Sequence, residues 1–236
     1  MPTNRAGSSL GDLAWPQVRD DLLLAIPLGA TEQHGPHLPL STDTDIAVAL
    51  ATSLAEALEN VVVAPALPYG SSGEHGDFPG TLSIGQQATE LVLVELGRSA
   101  AATFERALLV CAHGGNAEPL RRAVERLRGE GRDVRAWGPP WHGDAHAGRV
   151  ETSVLLALEA GRVRAELAAA GNAEPIESLL DDLRERGVRP LSRNGVLGDP
   201  AGASAQEGRE LLAAATRDLV ATVDGWSRAA PVSVAW

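Results

Sequence analysis

The sequence predicts an α/β fold, a largely parallel sheet covered by helices on both faces. Three observations carry that expectation. Short apolar runs alternate with longer stretches of helical periodicity. The runs are apolar throughout rather than at every second residue, as strands buried on both sides are. Polar, glycine-rich turns follow two of them at the C-terminal end, where ligands bind in open parallel sheets.

The elements follow in order. Leu22-Leu23-Leu24-Ala25-Ile26 reads as a buried strand closed by Pro27 and Gly29. In residues 43–58, Ile46, Val48, Ala49, Leu50, Leu54 and Leu58 recur at helical spacing, and Thr42 and Asp43 stand where caps belong. Val61-Val62-Val63 is β-branched and reads as a second strand. Residues 86–104 are patterned as a long helix, and Ala107-Leu108-Leu109-Val110-Cys111 is a third strand running into Gly114-Gly115. Residues 117–128 predict a helix, Val134-Arg135-Ala136-Trp137 a strand, residues 151–158 a helix start and residues 211–223 a last helix. Residues 187–208, rich in Gly, Pro, Ser and Asn, read as a surface excursion and not a boundary, so one domain is expected over 1–236.

Composition excludes several functions. A net charge of -11 leaves no basic surface to track phosphates, so nucleic acid is not an expected partner. The one cysteine, Cys111, excludes an internal disulfide and a thiolate zinc knuckle, and reads as a small buried strand residue. The chain shows no signal segment and no run long enough to span a bilayer, so a cytoplasmic protein without membrane contact is expected. Gly-x-Ser-x-Gly, Gly-Lys-Ser/Thr and Gly-x-Gly-x-x-Gly are all missing, which argues against a serine hydrolase, an NTPase and a dehydrogenase.

What remains is a constellation of acids and imidazoles. All six histidines, at 34, 37, 75, 113, 142 and 146, fall in loop-like stretches. Glu32 and His34 are two apart, so an extended chain points both the same way. Asp43 follows at the mouth of a helix, and His113 sits on the glycine turn after the third strand. One Glu-x-His by itself is usually a solvated turn; with Asp43 and His113 on separate loops it reads as a divalent-metal site. Carboxylate plus imidazole suits Zn²⁺, Fe²⁺ or Mn²⁺, and Asp43 has the two oxygens needed to bridge a pair of ions. Residues 142–152 add His142, His146 and Glu151. Asp45 reads as a helix cap, and His37 as a partner that orients a ligand. Glu74, His75 and Asp77 read equally as substrate contacts or as a surface loop.

The run from Glu32 to Asp43, Phe78-Pro79-Gly80-Thr81, His113-Gly114-Gly115-Asn116 and the stretch from His146 to Ser153 together resemble the creatininase family. The resemblance implies a three-layer α/β/α sandwich, two metal ions per subunit, hydrolysis of a C–N amide bond and assembly into a homo-oligomer. By position it implies Glu32 and His113 on one metal, His34 on the other and Asp43 on both. Amide cleavage also needs a proton for the departing nitrogen, a task assigned to His146 with His142 as second choice.

Two departures stand out. The creatinine-hydrolysing branch has a metal-binding Glu where this chain has Gly115, so Glu151 is the candidate for the missing oxygen donor, as ligand or as catalytic group. The family usually has Asn-Gly where this chain has Cys111-Ala112. The stretch from Gly70 to His75 looks like the mycofactocin-system branch, which implies a peptidase that trims a C-terminal Val-Tyr dipeptide from a modified precursor peptide. The alternative is a small-molecule amidohydrolase acting on a cyclic amide or a formamide.

Overall fold

Four of the apolar runs pair in parallel, in the computed structural model that describes residues 9–226. They are β1 (Leu23–Leu28), β2 (Val61–Val63), β3 (Arg106–Cys111) and β4 (Asp133–Trp137), in the order β2-β1-β3-β4. The register sets Leu23 against Val61 and Arg106, and Leu28 against Cys111. Six α-helices, with short 3-10 turns between them, complete the described residues: α1 (Thr42–Ala57), α2 (Gly85–Ala100), α3 (Ala117–Gly129), α4 (Arg149–Glu159), α5 (Ile176–Arg186) and α6 (Ala205–Asp224).

Successive strand residues point to opposite faces, and the two faces have different covers. Leu23, Ala25, Leu108 and Val110 pack with α1, α4 and α6 through Leu50, Leu54, Val154, Leu155 and Leu219. Leu22, Leu24, Ile26, Ala107 and Leu109 pack with α2 and α3 through Leu93, Val94, Leu120 and Leu127. This is the three-layer α/β/α sandwich, and it explains why the strand runs are apolar on every residue: both faces are buried.

The order of the strands locates a crevice. From β1 the chain crosses through α1 to β2 on one side, and from β3 it crosses through α3 to β4 on the other. The loops after β1 and β3 therefore part company at the carboxyl edge, the switch point at which ligands bind in such sheets.

Several local expectations change. Pro27 lies inside β1 rather than ending it; β2 has already ended at Val63, so the missing proline N–H falls beyond the β1–β2 pairing. The second long helix stops at Ala100, and a turn carries the chain to Phe104. Asp45 is not a cap: it accepts from Ser41 Oγ and from Arg162 on the outer side of α1. α5 presents Ile176, Leu179, Leu180 and Leu183 at helical spacing but buries only Leu179, and this helix was not among the elements expected above. Residues 187–208 are not merely a surface excursion. Val188, Ser192, Val196 and Leu197 are buried, and Leu197 forms a backbone bridge with His146. The glycines and asparagine that suggested exposure are there to let this segment pass tightly beneath the site.

Candidate metal centre

The ionisable groups at the crevice are delivered by several separate pieces of chain. The loop after β1 carries Glu32 and His34 and is closed by Glu32 N–H donating to Leu40 O (3.0 Å). The first turn of α1 carries Asp43, the turn after β3 carries His113, and the first turn of α4 carries Glu151. His146 is fixed by its bridge to Leu197, and Ala147 beside it takes a left-handed backbone (φ 54°) that lets its N–H reach Glu151 Oε2 at 2.5 Å. A short helical turn at Gly73–His75 adds His75.

These groups converge. His34 Nε2 lies 3.1 Å from Asp43 Oδ1 and 3.9 Å from Glu151 Oε2. His113 Nδ1 lies 3.3 Å from Asp43 Oδ2, and its Nε2 3.3 Å from Glu32 Oε2. His146 Nδ1 is 3.6 Å and His75 Nε2 3.4 Å from Glu32 Oε1. Three sets have ligand atoms mutually within 4.8 Å: Glu32, Asp43 and His113; His34, Asp43 and Glu151; and Glu32, His34 and His146. Asp43 belongs to two of them.

Backbone carbonyls orient three of the imidazoles. His34 Nδ1 donates to Glu32 O (3.2 Å), His113 Nε2 to Ser71 O (2.8 Å) and His146 Nε2 to Gln33 O (2.7 Å). A ring whose outer N–H is spent on a carbonyl presents the lone pair of its other nitrogen inward, the usual arrangement of a metal-ligating histidine.

The electrostatics follow from burial among mixed charges. Burial pushes the Glu32 carboxyl up to about 8, with the His113 charge opposing it. Burial also disfavours a charged His34, but the adjoining Asp43 carboxylate outweighs it and lifts the ring to about 10. His113 is raised well above the ordinary range because Glu32 and Asp43 overcome its burial. Asp43 is held below the usual carboxylate range, since His34 and His113 more than offset its desolvation. Burial, reinforced by the neighbouring cationic rings, keeps His75 down at about 3 and His146 well below its ordinary value. Glu151 is raised, chiefly by burial.

The donor set fits divalent cations, and the unpaired atoms say so. Glu32 is fully buried, yet neither of its oxygens accepts a hydrogen bond, and Asp43 Oδ2 also has none. A buried carboxylate without a hydrogen bond costs several kcal/mol, roughly, unless an ion or another charge compensates. Carboxylate oxygens and imidazole lone pairs at this spacing are the ligands that Zn²⁺ and its neighbours take.

The match to known proteins agrees with this chemistry. Residues 11–223 match the model of the family described as creatininase, creatinine amidohydrolase. The chain belongs to the creatininase family. A relative from Mycobacterium tuberculosis, named mycofactocin precursor peptide peptidase, is 50% identical over 86% of this chain and 85% of its own length. One of the same name from Mycobacterium ulcerans is 46% identical over 90% and 86%. A solved creatinine amidohydrolase superposes with a TM-score of 0.78 at 24% identity, covering 92% of this chain and 96% of that one. Solved creatininases of the same fold include a variant described as Zn-Zn type and one described with Mn.

Within this creatininase-family chain the remaining candidates sort by position. His142 is exposed on its loop and belongs to none of the three ligand groups. His37 bonds Thr152 Oγ1 (2.9 Å) rather than an inward-facing group. Cys111 is buried and donates to His113 O (3.3 Å), standing behind that histidine. At Gly115 a side chain would meet Ser71 O and Glu74 Oε1 within 2.6 Å, so the fold here has no room for the glutamate of the creatinine-hydrolysing branch. The residue that sequence reading undervalued is His75: it shares a short turn with exposed Gly73, and only its spacing ahead of Phe-Pro-Gly-Thr marked it.

Proposed function

We propose that the chain is a divalent-metal peptidase that releases the C-terminal Val-Tyr dipeptide from the modified precursor peptide of mycofactocin biosynthesis. The observation that carries the chemistry is the fully buried Glu32 carboxylate, without a hydrogen bond and ringed by imidazoles, beside the shared Asp43. The substrate is argued from relatives of that name at 46–50% identity along most of the chain.

In this reading Glu32, Asp43 and His113 hold one cation, and His34, Asp43 and Glu151 hold a second, each Zn²⁺, Fe²⁺ or Mn²⁺. The chemistry such cations supply is Lewis acidity, toward the scissile carbonyl and toward water. His146 supplies the proton traffic: its Nδ1 lone pair faces the carboxylates, takes the proton of the attacking water and returns it to the departing amide nitrogen. Glu151, pinned by Ala147 N–H, keeps its carboxylate beside His34 whether it acts as ligand or as a second proton acceptor. Gly114 leaves the backbone open to a substrate oxygen, and donors of this kind contribute about 3 kcal/mol each to stabilising an oxyanion.

Gly73 and Gly114 both border open space. That favours an extended peptide over a small cyclic amide or formamide, which would call for an enclosed pocket. The same reading takes 1–236 as one catalytic domain in the cytoplasm. Exposed Leu91, Val92 and Leu96 on α2 support a homo-oligomer.

The test compares two variants in an assay on the modified precursor peptide. Asp43→Ala should leave the protein without bound cation and without activity. His146→Ala should keep its cations while turnover falls by about 10²–10⁴-fold. Metal-replete protein that opens creatinine but leaves the peptide intact would refute the peptidase assignment, and equal metal loss in both variants would make His146 a ligand.

A further inference from the structure

His75 is the exception among the inward-facing imidazoles, and the cause lies in Gln33. The Gln33 amide is buried and its orientation is fixed at both ends: Oε1 accepts from Gly35 N–H at 2.9 Å, and Nε2 donates to Gly195 O at 3.0 Å. Gly195 (φ +81°) is required there, because a Cβ would fall 1.9 Å from Gln33 Oε1. One amide hydrogen remains, and it points at His75 Nδ1, 2.8 Å away. His146 does not compete for it, since its own Nε2–H is spent on Gln33 O. The outer nitrogen of His75 is thus an acceptor, and the ring hydrogen must sit on Nε2, which faces Glu32 Oε1.

We propose that His75 is a positioning residue that turns its Nε2–H toward the Glu32 carboxylate, 3.4 Å away, and orients it for cation binding by electrostatic attraction rather than by a formed hydrogen bond, with Gln33 dictating that tautomer. Where His34 and His113 offer lone pairs to a cation and His146 offers one to a proton, His75 offers a hydrogen and is not a ligand. The inference rests on the metal-hydrolase reading and adds a residue pair to it. Partners that orient metal-binding side chains typically contribute 10–100-fold to affinity, which sets the size of the effect.

The experiment measures Zn²⁺ affinity by competition with a chelating dye for the full chain and for His75→Phe, Gln33→Met and the double variant. His75→Phe keeps a ring against His146, whose centroid is 4.4 Å away, so a purely packing role would leave affinity unchanged. The expected result is binding about 10–100-fold weaker in His75→Phe, weaker binding in Gln33→Met, and no further loss in the double variant. Affinity of His75→Phe within twofold of the parent, or losses that multiply in the double variant, would overturn the proposal. Long-range ¹H–¹⁵N spectra of the unaltered protein give a second readout that does not depend on the variants folding: His75 should carry its hydrogen on Nε2, and a hydrogen on Nδ1 overturns the assignment. Failure of the parent to take up any Zn²⁺ would instead remove the hydrolase reading beneath it.

Discussion

Glu32 and His34 keep protons in the cation-free fold that they release in the unfolded chain, and this sets a pH dependence. Their folded values of about 8 and about 10 stand above ordinary values of 4.5 and 6.5. Between each pair of values the folded state binds more protons, so stability falls as pH rises. His113 is shifted the same way, while the depressed His75 and His146 exert their opposite effect only below 6.5. The cation-free protein should therefore lose thermal stability from about pH 6.5 to 10, and saturating Zn²⁺, which displaces those protons, should flatten the slope. Melting curves at fixed ionic strength check this; a cation-free melting temperature that rises across the range contradicts it. At this scale the sequence named Glu32, His34, Asp43, His113, His146 and Glu151 by residue type and motif. It could not rank His75 above a loop residue, because the contact that gives His75 its orientation comes from Gln33, 42 positions away.

The elements owe their positions to apolar periodicity, which is why most of them were readable. The helix over 43–58 appears as Thr42–Ala57, and its stripe of Ile46, Leu50 and Leu54 is fully buried against the sheet. Leu54→Ala leaves a void in that layer and should destabilise the protein by about 2–5 kcal/mol, measured by denaturant unfolding of the cation-free form. A loss under about 1 kcal/mol would mean that the α1 layer can collapse into the gap. The same logic explains the failures. α5 carries a helical period in Ile176, Leu179, Leu180 and Leu183 but buries only one of them, whereas residues 187–208 are held by backbone hydrogen bonds to His146 and by tight glycine contacts. The second of these leaves no periodic pattern of apolar side chains to read.

Across the whole molecule a bound cation is expected to act as a fastener, because its candidate ligands sit on the loop after β1, the first turn of α1, the turn after β3 and the first turn of α4. A cation at 100 times its Kd contributes about 2.7 kcal/mol, or about 5–10 °C in melting temperature for a chain of this size. Chelation should remove that increment in the parent but not in Asp43→Ala, as differential scanning fluorimetry would show; an equal drop in both would place the fastening elsewhere. Exposed Leu91, Val92 and Leu96 on the outer side of α2 predict self-association, so Leu91→Glu should shift the mass seen by light scattering toward the monomer, whereas a monomeric parent would refute the oligomer. The sequence alone determined the layered fold and the identity of the acids and imidazoles, since burial on both faces and ligand chemistry are properties of local residue choice. Only the tertiary structure decided that residues 187–208 run beneath the site, that Gly115 is packed too tightly to carry a glutamate, and which ring nitrogen faces inward. Those outcomes depend on distances between segments remote in the chain, and a hydrogen bond or a steric limit of that kind has no signature in either segment taken singly.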